Sequence, residues 1–214
     1  MQNFLADEKS LVKYVGICNV GMLSEPLWLR ELLPDAVFFN PDYSTPTALK
    51  NRYATPETLG MDRFLVALGA WSRVQKGPIL MLDAGTALNW EFVNQNGEYL
   101  GGGIAPGMEM RFRALHELTR KLPFIKPALP IQLPALNGNS TENAILSGVI
   151  NGFISEINGL IQLYQADSEG NLITFLTGGD TAFLVNHVKN INFADPDLLL
   201  WGIHTIIQSN FPDA

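Results

Sequence analysis

Apolar and polar positions along this chain follow two periods, and the switches between them outline its elements. Residues 12–20 (VKYVGICNV) form a short apolar run of the kind that becomes a buried strand. Residues 23–33 carry apolar side chains at helical spacing and are stopped by Pro34. Residues 36–39 (AVFF) predict a second short strand, and 40–46, with Pro41 and Pro46 around Ser44 and Thr45, predict a loop. Thr55-Pro56-Glu57-Thr58 combines N-cap chemistry with proline at the first helical position, and predicts a helix running to about Val74.

Beyond Gly77-Pro78 the pattern changes. Residues 79–83 (ILMLD) read as a buried strand that ends in a carboxylate and a glycine. Residues 87–93 (ALNWEFV) alternate, 94–97 are turn-rich, and 99–104 (YLGGGI) complete a strand-turn-strand meander. Helical spacing returns over 108–122, followed by a Pro/Leu-rich connection at 123–136 and the longest helical pattern at 141–164. Residues 172–176 predict a strand that leads into Thr177-Gly178-Gly179-Asp180 and a short helix. Residues 193–210 predict a last helix, opened by Asp195-Pro196-Asp197. This mixture argues for an α/β fold with at least one mixed sheet flanked by helices. The break near Gly77 divides the chain into residues 1–76 and 77–214.

Composition narrows the classes. Across 214 residues, 47% are hydrophobic and 16% charged, the balance of a packed protein rather than a disordered one. The net charge of -7, with no basic run, argues against a nucleic-acid partner, whose phosphates demand neutralisation. Cys18 is the only cysteine, so no internal disulfide can form, which suits a reducing compartment. The first residues lack a basic flank followed by an apolar stretch, and no run reaches the ~18 apolar residues that span a bilayer. A soluble, cytoplasmic protein with no membrane partner is expected.

Three constellations carry candidate chemistry. In Asp83-Ala84-Gly85-Thr86-Ala87 an apolar strand delivers a carboxylate, and a glycine then lets backbone N–H groups face outward beside a hydroxyl. Such N–H groups suit phosphate oxygens, and the carboxylate suits a cation. An ordinary hairpin with an Asx-type turn fits the same residues. In Gly60-Met61-Asp62-Arg63 a carboxylate and a guanidinium sit together near a helix start. They could accept a hydroxyl proton and pair with an oxyanion, or serve as a helix-opening acid and a solvated arginine. Thr177-Gly178-Gly179-Asp180, between a strand and a helix, allows close approach of a flat ring, or is a plain turn. Gly101-Gly102-Gly103 with Pro106-Gly107 lacks dinucleotide-fingerprint spacing. His116, His187 and His204 have no ligand spacing, and the four tryptophans suit core or interface anchoring.

Taken in order, these segments resemble the type III pantothenate kinase family. Tyr53 through Gly60-Met61-Asp62-Arg63 is similar to that family's substrate motif, and Asp83-Ala-Gly-Thr-Ala to its second phosphate motif. Gly101–Gly107, Thr141–Gly148 and Thr177–Asp180 follow in the family's order. The resemblance implies two ribonuclease-H-like (actin-like ATPase) domains with mixed sheets flanked by helices, and ATP-dependent phosphorylation of pantothenate, opening coenzyme A biosynthesis. It implies Asp62 as proton acceptor, and Tyr53, Gly60, Met61 and Arg63 as pantothenate contacts. It further implies Asp83 as ligand of a monovalent cation (potassium or ammonium), Gly85 and Thr86 toward ATP, Gly178 and Gly179 toward adenosine, and magnesium. Thr141 would reach substrate from the neighbouring subunit of a homodimer.

Three features depart from the family pattern. Asn89 stands for a threonine and Glu91 for an aspartate; Asn89 keeps hydrogen-bonding ability and Glu91 keeps the charge on a longer arm. Nothing in residues 1–20 matches the first phosphate loop, Asp-x-Gly-Asn-Thr, so a truncated or mis-started frame is expected, with weak or absent kinase activity for the chain as it stands. The alternative is a catalytically impaired relative that binds a small molecule or regulates.

Overall fold

The computed structural model describes residues 11–20 and 27–212. Two sheets carry the fold. A small parallel sheet pairs β1 (Tyr14–Gly16) with β2 (Val37–Phe39), connected through α1 (Leu27–Leu32). Residues 1–10, and the predicted start of the first helix at 23–26, lie outside the described residues. The large sheet has six strands: β3 (Lys50–Asn51), β4 (Ile79–Ala84), β5 (Ala87–Val93), β6 (Glu98–Pro106), β7 (Ile173–Thr177) and β8 (Phe193–Ala194). Their spatial order is β3-β6-β5-β4-β7-β8. The β4-β5-β6 meander is antiparallel, whereas β7 and β8 add to β4 in parallel. The chain thus has a mixed α/β fold with helix-flanked sheets, and β4 to β8 follow the ribonuclease-H-like order.

Both faces of the large sheet are covered, which explains why ILML in β4 is buried throughout rather than alternating. Leu80 and Leu82 face α3 (Met108–Glu117) and α4 (Thr141–Asp167) through Phe112, Ile145, Val149 and Phe153. Ile79 and Met81 face α2 (Met61–Val74) and α6 (Leu198–Asn210) through Leu65, Leu68, Leu198 and Ile206. The short α5 (Thr181–Leu184) follows β7.

Several sequence expectations need correction. The helix predicted from Thr55 is two elements: a 3-10 turn at Pro56–Thr58, then a break, with α2 starting at Met61 on Gly60. Proline satisfies the turn, but Leu59 is extended at ψ 124° and ends it. Residues 193–194, read as the beginning of the last helix, pair with Phe175 and Leu176 as a strand, and the helix begins at Leu198. β3 was not legible at all. α4 is also longer and more apolar than the sequence reading allowed: one 18-residue window has mean hydropathy 1.4, enough by length and composition to cross a membrane. Its inner face is packed on the sheet through Ile145, Val149, Phe153 and Ile157.

Candidate functional site

Chemistry converges at the carboxyl end of β4, where parallel strands of α/β sheets present ligand sites. Asp83 stands beside Thr177 of β7 in register. The chain turns at once, with Gly85 N–H donating to the Ala87 carbonyl at 3.0 Å, and Thr86 is left exposed. Gly178 follows β7 at φ 92°, in the left-handed region, and any Cβ there would collide with Asp83 Oδ1. Asp180 N–H then donates to the Ala84 carbonyl at 3.0 Å, latching this second turn to the first. Gly107 closes the third side, because a side chain there would strike the carbonyls of Gly85 and Thr86. Between these turns lies a groove of about 420 Å³, lined by Gly85, Thr86, Glu109, Arg113, Gly179 and Asp180.

Electrostatics sets this end of the sheet apart. Burial pushes the Asp83 carboxyl above the usual carboxylate range, and the charge of Asp62 adds to that. Asp180 is raised the same way by burial and by Glu109. The Asp83 carboxylate makes no hydrogen bond or ion pair among the described residues, so its half-buried oxygens could accept a cation.

Asp62 is delivered by the first turn of α2, where Gly60 at the N-cap leaves room for its carboxylate. Its charge is felt by Asp83, by Glu91 and by Cys18, whose thiol burial pushes up to about 11. The structure therefore brings Asp62 and Asp83, distant in sequence and carried by different elements, into electrostatic reach of one another.

Next to Asp62, Arg63 turns inward. Its Nε donates to Glu91 Oε1 at 2.5 Å and its Nη2 to Glu91 Oε2 at 3.1 Å, and the Tyr99 hydroxyl donates to Oε2 at 2.5 Å. The Arg63 and Glu91 side chains are only 10% and 2% exposed. Burial opposes the Arg63 charge, but its bonds to Glu91 more than offset this and hold the guanidinium above its ordinary range. Burial likewise pushes Glu91 up, against the pull of Arg63 and Tyr99. The Tyr53 ring lies against Gly101, where a side chain would strike it and the φ of 87° would strain it, and 5.8 Å from the Arg63 guanidinium. The glycine segment Gly101–Gly103 thus makes room for the Tyr53 and Trp90 rings.

Other predicted residues stand apart. Met61 points toward Tyr43, Thr45, Thr47 and Asn51 around a separate cavity of about 180 Å³. Thr141 is the exposed first residue of α4, beyond the cap in which Ser140 accepts from Asn143 N–H at 3.2 Å. Sequence reasoning missed the roles of Tyr99 and Asp180. One signal for Glu91 was available: its parity in ALNWEFV matches Val93, so it had to point to a buried face.

These features define an α/β protein with three glycine turns around a groove at the end of a mixed sheet, and an acid-bearing helix start whose charge reaches that strand end. The profile of the type III pantothenate kinase family matches residues 2–163. The chain belongs to the type III pantothenate kinase family. It is 44% identical over 158 residues to the type III pantothenate kinase of Flavobacterium johnsoniae, covering 74% of this chain and 63% of that protein. It is 37% identical over 201 residues to that of Flavobacterium psychrophilum, covering 92% and 80%. The chain thus spans less than two thirds of the length of the F. johnsoniae relative. Among solved structures, a protein from Campylobacter jejuni described as a Baf family transcriptional activator superposes with TM-score 0.61 at 24% identity, covering 94% of this chain and 85% of that one. That likeness concerns the fold alone.

Proposed function

We propose that this protein transfers the γ-phosphoryl group of ATP to the primary hydroxyl of pantothenate, the first step of coenzyme A biosynthesis, in the cytoplasm. The observation that supports the reading is that Asp62, from α2, acts electrostatically on Asp83 at the end of β4, beside the groove bounded by the glycine turns. In this reading residues 1–76 and 77–214 form the two walls of the cleft. Asp62 accepts the hydroxyl proton as the new O–P bond forms and the bond to ADP breaks. Gly85 and Thr86 offer an N–H group and a hydroxyl to the phosphates, while Gly178 and Gly179 let the nucleoside lie close to the backbone. Asp83 would hold a potassium or ammonium ion, which supplies positive charge beside the phosphates, and magnesium would accompany ATP. Tyr53, Gly60, Met61 and Arg63 would hold pantothenate.

A homodimer in which Thr141 reaches the neighbouring site is part of the reading. The exposed α4 positions Gly148 and Gly152, with open space where side chains would be, support close approach of a second helix.

The test is twofold. Calorimetry should detect pantothenate and ADP binding, and an ADP-release assay should detect transfer that depends on pantothenate. Asp62→Asn should lower kcat by about 10²- to 10⁴-fold, the usual contribution of a general base, with binding retained. Normal turnover by that variant would remove Asp62 from its role.

A further inference from the structure

Glu91 is a carboxylate in the middle of a sheet face otherwise built from Ile79, Met81, Val93 and Phe175. Burying a charge there is costly unless it is fully paired, and half-measures cost more than an apolar side chain would. The pairing here is complete: both oxygens are used, by two N–H groups of one arginine and by a buried phenol. Tyr99 is itself fully buried and packs edge-on against Phe64 of α2 at 5.3 Å, so the anchor on the sheet side is rigid.

What this anchor grips is the first turn of α2. Arg63 neighbours Asp62 in sequence, and it lies beside Tyr53, which is seated on Gly101 of β6. α2 opens without a side-chain cap, on Gly60, so its first turn has no local lock of its own. The Glu91 bonds provide one from the sheet. They also set the Arg63 cation against Glu91, on which the charge of Asp62 acts in the opposite sense.

We infer that Glu91 and Tyr99 are positioning residues of the transfer reaction: they fix Arg63, and through it the first turn of α2, so that Asp62 is aimed into the cleft. Two N–H groups of Arg63 are committed to Glu91, and of its five N–H donors the remainder face the Tyr53 side, where substrate can be met. Arg63 is thus divided between a structural and a substrate-facing edge. This rests on the proposed reaction for its consequence, though not for its geometry.

The experiment compares wild type with Glu91→Gln, Glu91→Asp and Tyr99→Phe. An Arg63 side-chain Nε–H resonance, protected from solvent exchange in wild type, should lose protection in Glu91→Gln. Because a misplacement near 1 Å can cost about a hundredfold in rate, Glu91→Gln should lower kcat by about that factor. KM for pantothenate should hold, Tyr99→Phe should fall between, and Glu91→Asp should recover part of the loss by restoring the charge. Thermal melts of each variant separate this from lost folded protein, since a purely structural role would reduce active fraction and leave kcat per folded molecule intact. Three results overturn the inference: an unprotected Nε–H in wild type, unchanged kcat in Glu91→Gln, or a rise in KM with kcat preserved. If wild type binds neither pantothenate nor ADP, the kinase reading fails and this role falls with it; if it binds and turns over but Glu91→Gln is normal, only the positioning role falls.

Discussion

Asp83 is held where both burial and the charge of Asp62 oppose its ionisation. Its folded-state pKa therefore lies above its unfolded value, so the folded protein binds more protons than the unfolded chain between those two values. By linkage, stability from this group falls as pH rises through that window, and the penalty is complete above the folded-state value. Asp83→Asn should accordingly raise the melting temperature of the ligand-free protein at pH 7, by about 2–4 °C for each kcal/mol relieved in a chain of this size. The gain should shrink toward zero as pH falls below the ordinary aspartate value of about 3.9, where Asp83 is protonated in both the folded and unfolded states. Melting curves across that range check it, and a variant no more stable than wild type at pH 7 would show that Asp83 is not under strain. The position of this acid was legible, because an apolar run ending in Asp-x-Gly is a local signal. The commitment of Arg63 to Glu91 was not legible: the two are 28 residues apart, and only the sheet register places one under the other.

Among elements, the crossing of α2 and α6 sets where Asp62 stands relative to the strand end. The helices meet through Gly69 and Gly202: a side chain at 69 would strike the Leu198 carbonyl, and one at 202 the Leu65 carbonyl. Glycine in a helix interior costs roughly 0.5–1 kcal/mol against alanine, so two at a crossing point reflect a demand for backbone contact. Gly69→Ala and Gly202→Ala should each destabilise by about 1–3 kcal/mol through overpacking, despite better helix propensity. Denaturant midpoints would measure this; a stabilised variant would mean that the helices separate freely. Elements with a full period were readable from sequence, as β4, β5, β6, α3 and α4 illustrate. Two-residue strands such as Lys50–Asn51 and Phe193–Ala194 have no period to read, and exist because a neighbouring strand offers its edge. The late start of α2 was hidden by proline and threonine chemistry that a 3-10 turn satisfies equally well.

At the scale of the whole molecule, β1-α1-β2 followed by α2 has the same order and parallel pairing as β7-α5-β8 followed by α6, and the two closing helices cross each other. The second set is attached to an antiparallel meander; among the described residues, the first set has no such meander of its own. The groove at the end of β4 is acidic: Glu109 and Asp180 line it, Asp83 ends the strand next to it, and Arg113, which also lines it, is paired with Glu117, on a chain of net charge -7. A polyphosphate entering such a place needs a cation beside it, since backbone N–H groups supply only partial charges. Nucleotide affinity should therefore depend on which monovalent cation is present. In potassium or ammonium, ADP at about 100 times its Kd should raise the melting temperature by on the order of 5–10 °C. In tetramethylammonium, too bulky to approach the half-buried Asp83 carboxylate closely, the shift should nearly vanish at equal ionic strength. Asp83→Asn should give the same small shift in all three salts, because the group that holds the ion is gone. An equal ADP shift for wild type in every salt would place the cation, and with it the role of Asp83, outside the reaction.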